Sequence, residues 1–201
     1  MENTKKIEKE YLILVEGKTD KILIETLLDL MNISIATKEK IQIFELEGKN
    51  KLRLVKNLIK NSDIEIKSLF LFLDKDENFD STKQRAENFF STLPYNPKKG
   101  TFYLILPPKD IEGKELEDYI VEILSKDNDI ISHIKKCVKE VSTNKKFGKK
   151  VFYTYLLLND DCNYEGVSYS TPQVKRCIQN VIEKMDYLKE KLRQFFNIVD
   201  K

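Results

Sequence analysis

Four short apolar runs constrain this chain more than any other feature of its sequence. Residues 11–15 read YLILV, 41–46 IQIFEL, 68–73 SLFLFL and 101–106 TFYLIL. Continuous apolar runs of this length fit strands covered on both faces, as in a parallel sheet. Between them lie segments of helical spacing. Ile22, Leu23, Leu27, Leu28 and Met31 share a face after the first run, and Leu52, Val55, Leu58 and Ile59 after the second. STKQRAENFFSTL follows the third run, with Ser81 as the expected N-cap. Pro107 and Pro108 end the fourth run sharply. Strand and helix alternate with short connections, which predicts a mostly parallel, four-stranded α/β sheet flanked by helices.

Beyond residue 113 the pattern becomes helical. GKELEDYIVEILS, NDIISHIKKCVKEV, KKVFYTYLLLN and the long stretch from Thr171 to Val199 all read as helices, with Pro172 at a helix start. The expected organisation is an α/β core over residues 1–112 and a C-terminal helical segment over 113–201 packed on it. A length of 201 residues suits one full core.

Hydrophobic residues make up 41% and charged residues 34%, a globular balance. Net charge is only +2, so any nucleic-acid surface must be a local patch rather than a global field. Cys137, Cys162 and Cys177 are far apart and form no CxxC pair, and His133 is the only histidine. Zinc and a disulfide framework are therefore not expected; buried free thiols and a cytoplasmic location are. No signal peptide or membrane-length apolar run is visible, and His133 reads as a surface or lightly packed residue.

The first and third runs end on acids. Glu16 follows YLILV, and Asp74 and Asp76 follow SLFLFL. In an open parallel sheet, functional groups collect beyond the carboxyl ends of the strands, near a switch in strand order. If these two strands are neighbours, the three carboxylates converge. Extended backbone would point Asp74 and Asp76 the same way. Crowded carboxylates repel, and a hard divalent cation, Mg²⁺ above all, resolves that repulsion. For one acid taken alone, a solvated loop charge is the simpler account.

VEGKTD after the first strand together with FLDKDEN after the third resembles the Toprim domain. That domain is shared by topoisomerases, bacterial primases, recombination mediators and the OLD (overcoming-lysogenization-defect) nucleases. The resemblance spans about residues 10–110 and carries the Rossmann-like Toprim sheet as its expected fold. PPKDIEGKELEDYIVEIL, GKKVFYTYLLLND and the long final helix further resemble a group of small stand-alone bacterial Toprim proteins of uncharacterised function. Their Gly-x-Leu-Glu-Asp-like segment is matched by Gly113, Leu116, Glu117 and Asp118, with one extra residue before the leucine.

The resemblance implies that Asp74 and Asp76 bind Mg²⁺, with Mn²⁺ as a substitute. Glu16 would share the metal or move a proton. Glu117 and Asp118 are either a further acidic ligand set or an ordinary exposed helix start. A carboxylate site without histidine suits Mg²⁺ or Mn²⁺ better than zinc. The implied activity is hydrolysis of a nucleic-acid phosphodiester, DNA or RNA, with water as nucleophile. The alternative is a module that holds nucleic acid or a partner without turnover. An ATPase and a second copy of the chain are the candidate protein partners.

Gly17, Lys18 and Asp20 open the first helix, where a phosphate could approach backbone N–H groups. Gly48, Lys49 and Lys51 repeat the arrangement after the second strand, as phosphate contacts or, more simply, as a solvated helix start. NKKFGKK at 144–150 is a basic cluster that could track a nucleic-acid backbone, although solvated faces commonly look the same. Gly-Lys-Thr at 17–19 is not a P-loop, because Leu12 stands where that motif needs glycine. A phosphorelay receiver would want an acidic pair after the first strand and a lysine after a fifth, and neither is present. Tyr153, Tyr155, Tyr164 and Tyr169 read as packing residues rather than as nucleophiles.

Overall fold

The computed structural model describes residues 6–46, 52–76, 78–126, 128–141, 146–159, 162, 177, 179, 181 and 183–199. The four apolar runs form β1 (Tyr11–Val15), β2 (Ile41–Glu45), β3 (Ser68–Asp74) and β4 (Thr101–Leu106). All pair in parallel, in the order β2-β1-β3-β4. The described helices are α1 (Lys18–Leu30), α2 (Ile35–Lys40), α3 (Leu52–Lys60), α4 (Phe79–Ser91), α5 (Leu116–Leu124), α6 (Asp129–Val141), α7 (Phe147–Leu158) and α8 (Asp186–Val199).

Alternate strand residues feed two separate apolar layers, as a pleated sheet covered on both faces requires. Ile13, Val15, Phe70 and Phe72 pack with residues of α1 and α5 to α8. Leu12, Leu14, Leu69, Leu71 and Leu73 pack with α3 and α4. Phe195 of α8 is fully buried, its ring edge-on to Phe70 at 5.6 Å and to Phe102 at 6.1 Å. Tyr153 and Tyr155 are partly buried against the same layer, as expected of packing aromatics. Tyr164, Tyr169 and Pro172 lie outside the described residues.

Several local expectations differ from the structure. Asn78, not Ser81, caps α4: its side-chain oxygen accepts from Asp80 N at 2.8 Å and Ser81 N at 3.3 Å. Both residues are good caps, and the turn after β3 decides which one stands at the helix start. The final helical stretch is interrupted by a turn at Glu183–Lys184 before α8 begins. Cys162 and Cys177 are not free thiols but a disulfide, with Cα atoms 5.6 Å apart. Spacing along the chain argues against pairing; the fold brings the two sulfurs together. Cys137 is free but exposed rather than buried, and His133 is exposed. Among the described residues, no helix is long and apolar enough to cross a membrane.

Replacing Phe195 with Ala removes the aromatic that ties α8 to β3 and β4. Urea unfolding should show a loss of about 3–5 kcal/mol; a loss under about 1 kcal/mol would mean that α8 does not hold this sheet face in solution.

Candidate functional site: an acidic cluster at the strand ends

β1 lies between β2 and β3, so strand order reverses beside it, where α/β sheets open a crevice. Leu14 pairs with Leu71, which sets Glu16, two residues on, level with Leu73 and one residue short of Asp74. Parallel pairing thus puts Glu16, Asp74 and Asp76 at the same end of the sheet.

Glu16 is only 8% exposed. Gly17 is the N-cap of α1, and its N–H donates to Asp20 Oδ2 at 2.8 Å. This holds Asp20 inward, at 6% exposure, among the acids rather than on the open face beside exposed Lys18. Burial raises the Asp20 pKa well above the usual carboxylate range; Asp74, Glu117 and Glu16 add to the rise, against the Gly17 hydrogen bond. The backbone of Gly17 is extended, and the nearest atom to an added Cβ would be Asp20 Oδ2 at 3.8 Å. Among the described residues, neither backbone strain nor packing demands glycine here.

Asp74 closes β3 and its Oδ1 accepts from Leu116 N at 2.9 Å, joining the sheet to the start of α5. The chain then leaves the extended region: Asp76 has φ +58°, and its N–H donates to Lys114 O at 2.8 Å. Asp74 and Asp76 are therefore not a pair on one face of extended backbone. Aspartate tolerates the left-handed region better than most residues, and the turn sends Asp76 toward α4. There Asp76 Oδ2 meets Arg85 Nη2 at 3.0 Å, and the same nitrogen lies 3.6 Å from Glu16 Oε1.

Arg85 was not legible as a site residue. Its only signal is that it is one of four arginines in a lysine-rich chain, three residues after buried Thr82. One nitrogen of its guanidinium, Nη2, bridges the two acids.

The start of α5 is more buried than an ordinary helix start. Glu117 is 3% exposed. Burial pushes its pKa up to about 7, with Lys149 opposing and Asp74 and Glu115 adding. Lys149 stands 3.1 Å from Glu115 and 4.0 Å from Glu117. Burial disfavours the Lys149 ammonium, but those two carboxylates outweigh it and raise its pKa.

Asp118 has a different setting. Its Oδ2 accepts from Lys114 N at 2.8 Å and Glu115 N at 3.1 Å, closing the capping box of α5. Gly113, at φ +117°, and Gly148 on α7 both press against it, and an added Cβ at either would collide with Asp118. Gly48, Lys49 and Lys51 fall outside the described residues.

Glu16, Asp20, Asp74 and Glu117 thus share one electrostatic environment, with Asp76 tied to it through Arg85. Among the described residues, no three of these acids stand at the spacing of a preformed cation cage. The donor set still suits a hard divalent cation: all oxygen, mutually repelling and largely out of water.

The fold is a four-stranded, all-parallel α/β sheet flanked by helices, with acids at its strand ends. The chain is similar in structure to the C-terminal region of the Burkholderia pseudomallei OLD protein, with a TM-score of 0.53 and 14% identity over 96% of this chain and 98% of that one. At that identity the likeness concerns the fold. The chain belongs to the family described as protein of unknown function (DUF3226), which it matches over residues 10–197. No curated protein matches it significantly in sequence.

Two outcomes test this geometry. The Glu117 pKa is raised from 4.5 to about 7 on folding, so the stability of the protonated form is full below about pH 4.5 and lost as pH rises through about 7. In EDTA, Glu117→Gln should stabilise the protein by up to ~3 kcal/mol near pH 8 and by little near pH 4.5; a pH-independent difference in chemical denaturation would show that Glu117 stays ionised in the fold. Gly148→Ala would set a methyl 2.6 Å from Asp118 N. It should cost about 1–3 kcal/mol, and an unchanged melting temperature would mean that α7 is not seated on α5.

Proposed function

We propose that this protein is a Mg²⁺- or Mn²⁺-dependent phosphodiesterase that hydrolyses nucleic-acid phosphodiesters with water as nucleophile. The observation that carries the reading is that Glu16 and Asp74, from adjacent parallel strands, both act electrostatically on buried Asp20, as does buried Glu117. A hard divalent cation would relieve the repulsion among such carboxylates, and their place at the strand-order switch is where α/β sheets bind ligands.

Glu16, Asp74 and Asp76 would hold the metal, with Glu117 as a further ligand. When bound, the ion would polarise the phosphate and lower the pKa of water. Glu16, held by β1, would accept or deliver the proton. The N-terminus of α1 at Gly17 and Lys18 would meet the phosphate, which gives a reason for a glycine that packing among the described residues does not require. Asp118, engaged by two backbone N–H groups, is better placed to shape α5 than to bind metal.

A second reading, a nucleic-acid-binding or regulatory module working with a partner such as an ATPase, draws on Arg85. Its guanidinium already supplies positive charge to Glu16 and Asp76, and its buried Nε lacks a hydrogen-bond partner among the described residues. A buried donor left so costs about 1–3 kcal/mol, a cost that the two carboxylates offset.

Glu16→Gln keeps the size of the side chain and removes its charge and basicity. With Mn²⁺ present, single-turnover cleavage of single-stranded DNA, duplex DNA and RNA should fall by about a hundred- to ten-thousand-fold. Cleavage within about threefold of wild type would remove Glu16 from the chemistry. A wild type that cuts nothing, even with an ATPase partner, would leave the binding module as the function.

A further inference from the structure

Beside the acidic cluster runs an open groove of about 730 Å³ lined by the 112–115 loop, α5, α6 and the start of α7. Lys75, Lys114, Lys135, Lys136, Lys139 and Lys146 line it. The near-neutral charge of the whole chain gives no hint of such a concentration.

The strip on α6 has a simple origin. Ile131, Ile134 and Val138 turn into the core. Lys139 falls four residues after Lys135 and three after Lys136, so the three ammonium groups share an outer strip. Lys146 and Phe147 come from the basic cluster at 144–150, whose Lys149 is instead committed to Glu115 and Glu117.

Acids also line the groove, but most of their charge is engaged. Glu115 pairs with Lys149, Glu122 with Lys135 at 3.5 Å, and Asp118 with two backbone N–H groups. Exposed Glu112 faces Lys75. Lys75 itself is anchored to the backbone oxygens of Pro108 and Ile111. Among the described residues, Lys136, Lys139 and Lys146 have no carboxylate within ion-pair distance, and all three are exposed. Their charge faces the groove and solvent.

The groove and the acidic cluster share a wall. Lys114 O accepts from Asp76 N, and Leu116 N donates to Asp74, while Gly113, Lys114 and Glu115 line the groove. A polyanion lying along the lysines would therefore pass beside the acids. Phe147 is half-buried, its inner side packed on the core and its outer side lining the groove.

We propose that this groove binds single-stranded nucleic acid, the lysines contacting successive phosphates and Phe147 stacking on an unpaired base; this rests on the phosphodiesterase reading only in supplying that site with its substrate. Lysines along a groove with an aromatic face are the chemistry by which proteins hold single strands without regard to sequence. A duplex keeps its bases stacked on one another and offers Phe147 nothing to stack on.

The test is fluorescence anisotropy of a labelled dodecathymidylate in EDTA, so that binding is read without cleavage. Lys136→Glu/Lys139→Glu changes two exposed side chains. It should weaken binding by about tenfold or more and lower the slope of log K against log salt by about 0.7 for each phosphate that is no longer neutralised. Phe147→Leu should weaken single-strand binding and leave the salt slope unchanged. The groove assignment is overturned if the wild type does not bind the strand, if the double variant binds as tightly as wild type with the same slope, or if a duplex of equal length binds as tightly as the single strand. The two readings separate in a parallel Mn²⁺ assay. A wild type that binds through these lysines but cuts nothing retains the groove and loses the phosphodiesterase. One that cuts while the double variant binds and cuts equally well retains the phosphodiesterase and loses the groove.

Discussion

Parallel pairing of β1 with β3 brings the carboxylates that follow both strands to one end of the sheet, and much of the surrounding structure offsets the repulsion that results. Backbone N–H groups from two helix starts supply part of the compensation: Gly17 to Asp20 and Leu116 to Asp74. Cations supply another part, through Arg85 on one side and Lys149 on the other. Protonation supplies the rest, because burial raises the pKa of Asp20 and Glu117. The cluster therefore has three ways of offsetting the repulsion among its acids, and a divalent cation would be a fourth.

The helical segment after β4 does more than cover a sheet face. Its first helix delivers Glu117 and the Leu116 N–H to the cluster, and the close fit of Gly113 and Gly148 around Asp118 sets where that helix begins. The same loop forms one wall of the lysine groove. The acids and the cations consequently share one element, so a ligand along the groove would pass beside the strand ends. This coupling gives a family of unknown function a concrete chemical hypothesis, while the likeness to the OLD C-terminal region supports the fold beneath it.

The strands, their parallel arrangement and the acids at their ends were legible because each depends on local order. A continuous apolar run signals a two-sided strand, helical spacing signals its crossover, and an acid one residue past a strand lands at its carboxyl end whatever follows. The Glu-Gly and Asp-x-Asp pair carried the resemblance to the Toprim domain. Local reading went astray where a turn intervened. Asp76 leaves the extended region, so alternation does not govern its direction, and Asn78 takes the cap expected of Ser81.

The sequence by itself determined which segments become strands and helices and which strands end on acids, since continuous apolar runs and a 3.6-residue period are local patterns. That β1 and β3 are neighbours, so that the acids gather, was decided by the pairing of the strands. Only the tertiary structure decided that Arg85 bridges Glu16 and Asp76, that Glu117 is buried while Asp118 caps its own helix, that Cys162 meets Cys177, and that six lysines from separate segments line one groove. Each of these joins residues distant in the chain or depends on which helix face is packed. Their energies arise from contacts that exist only after the layers close, and no local pattern encodes them.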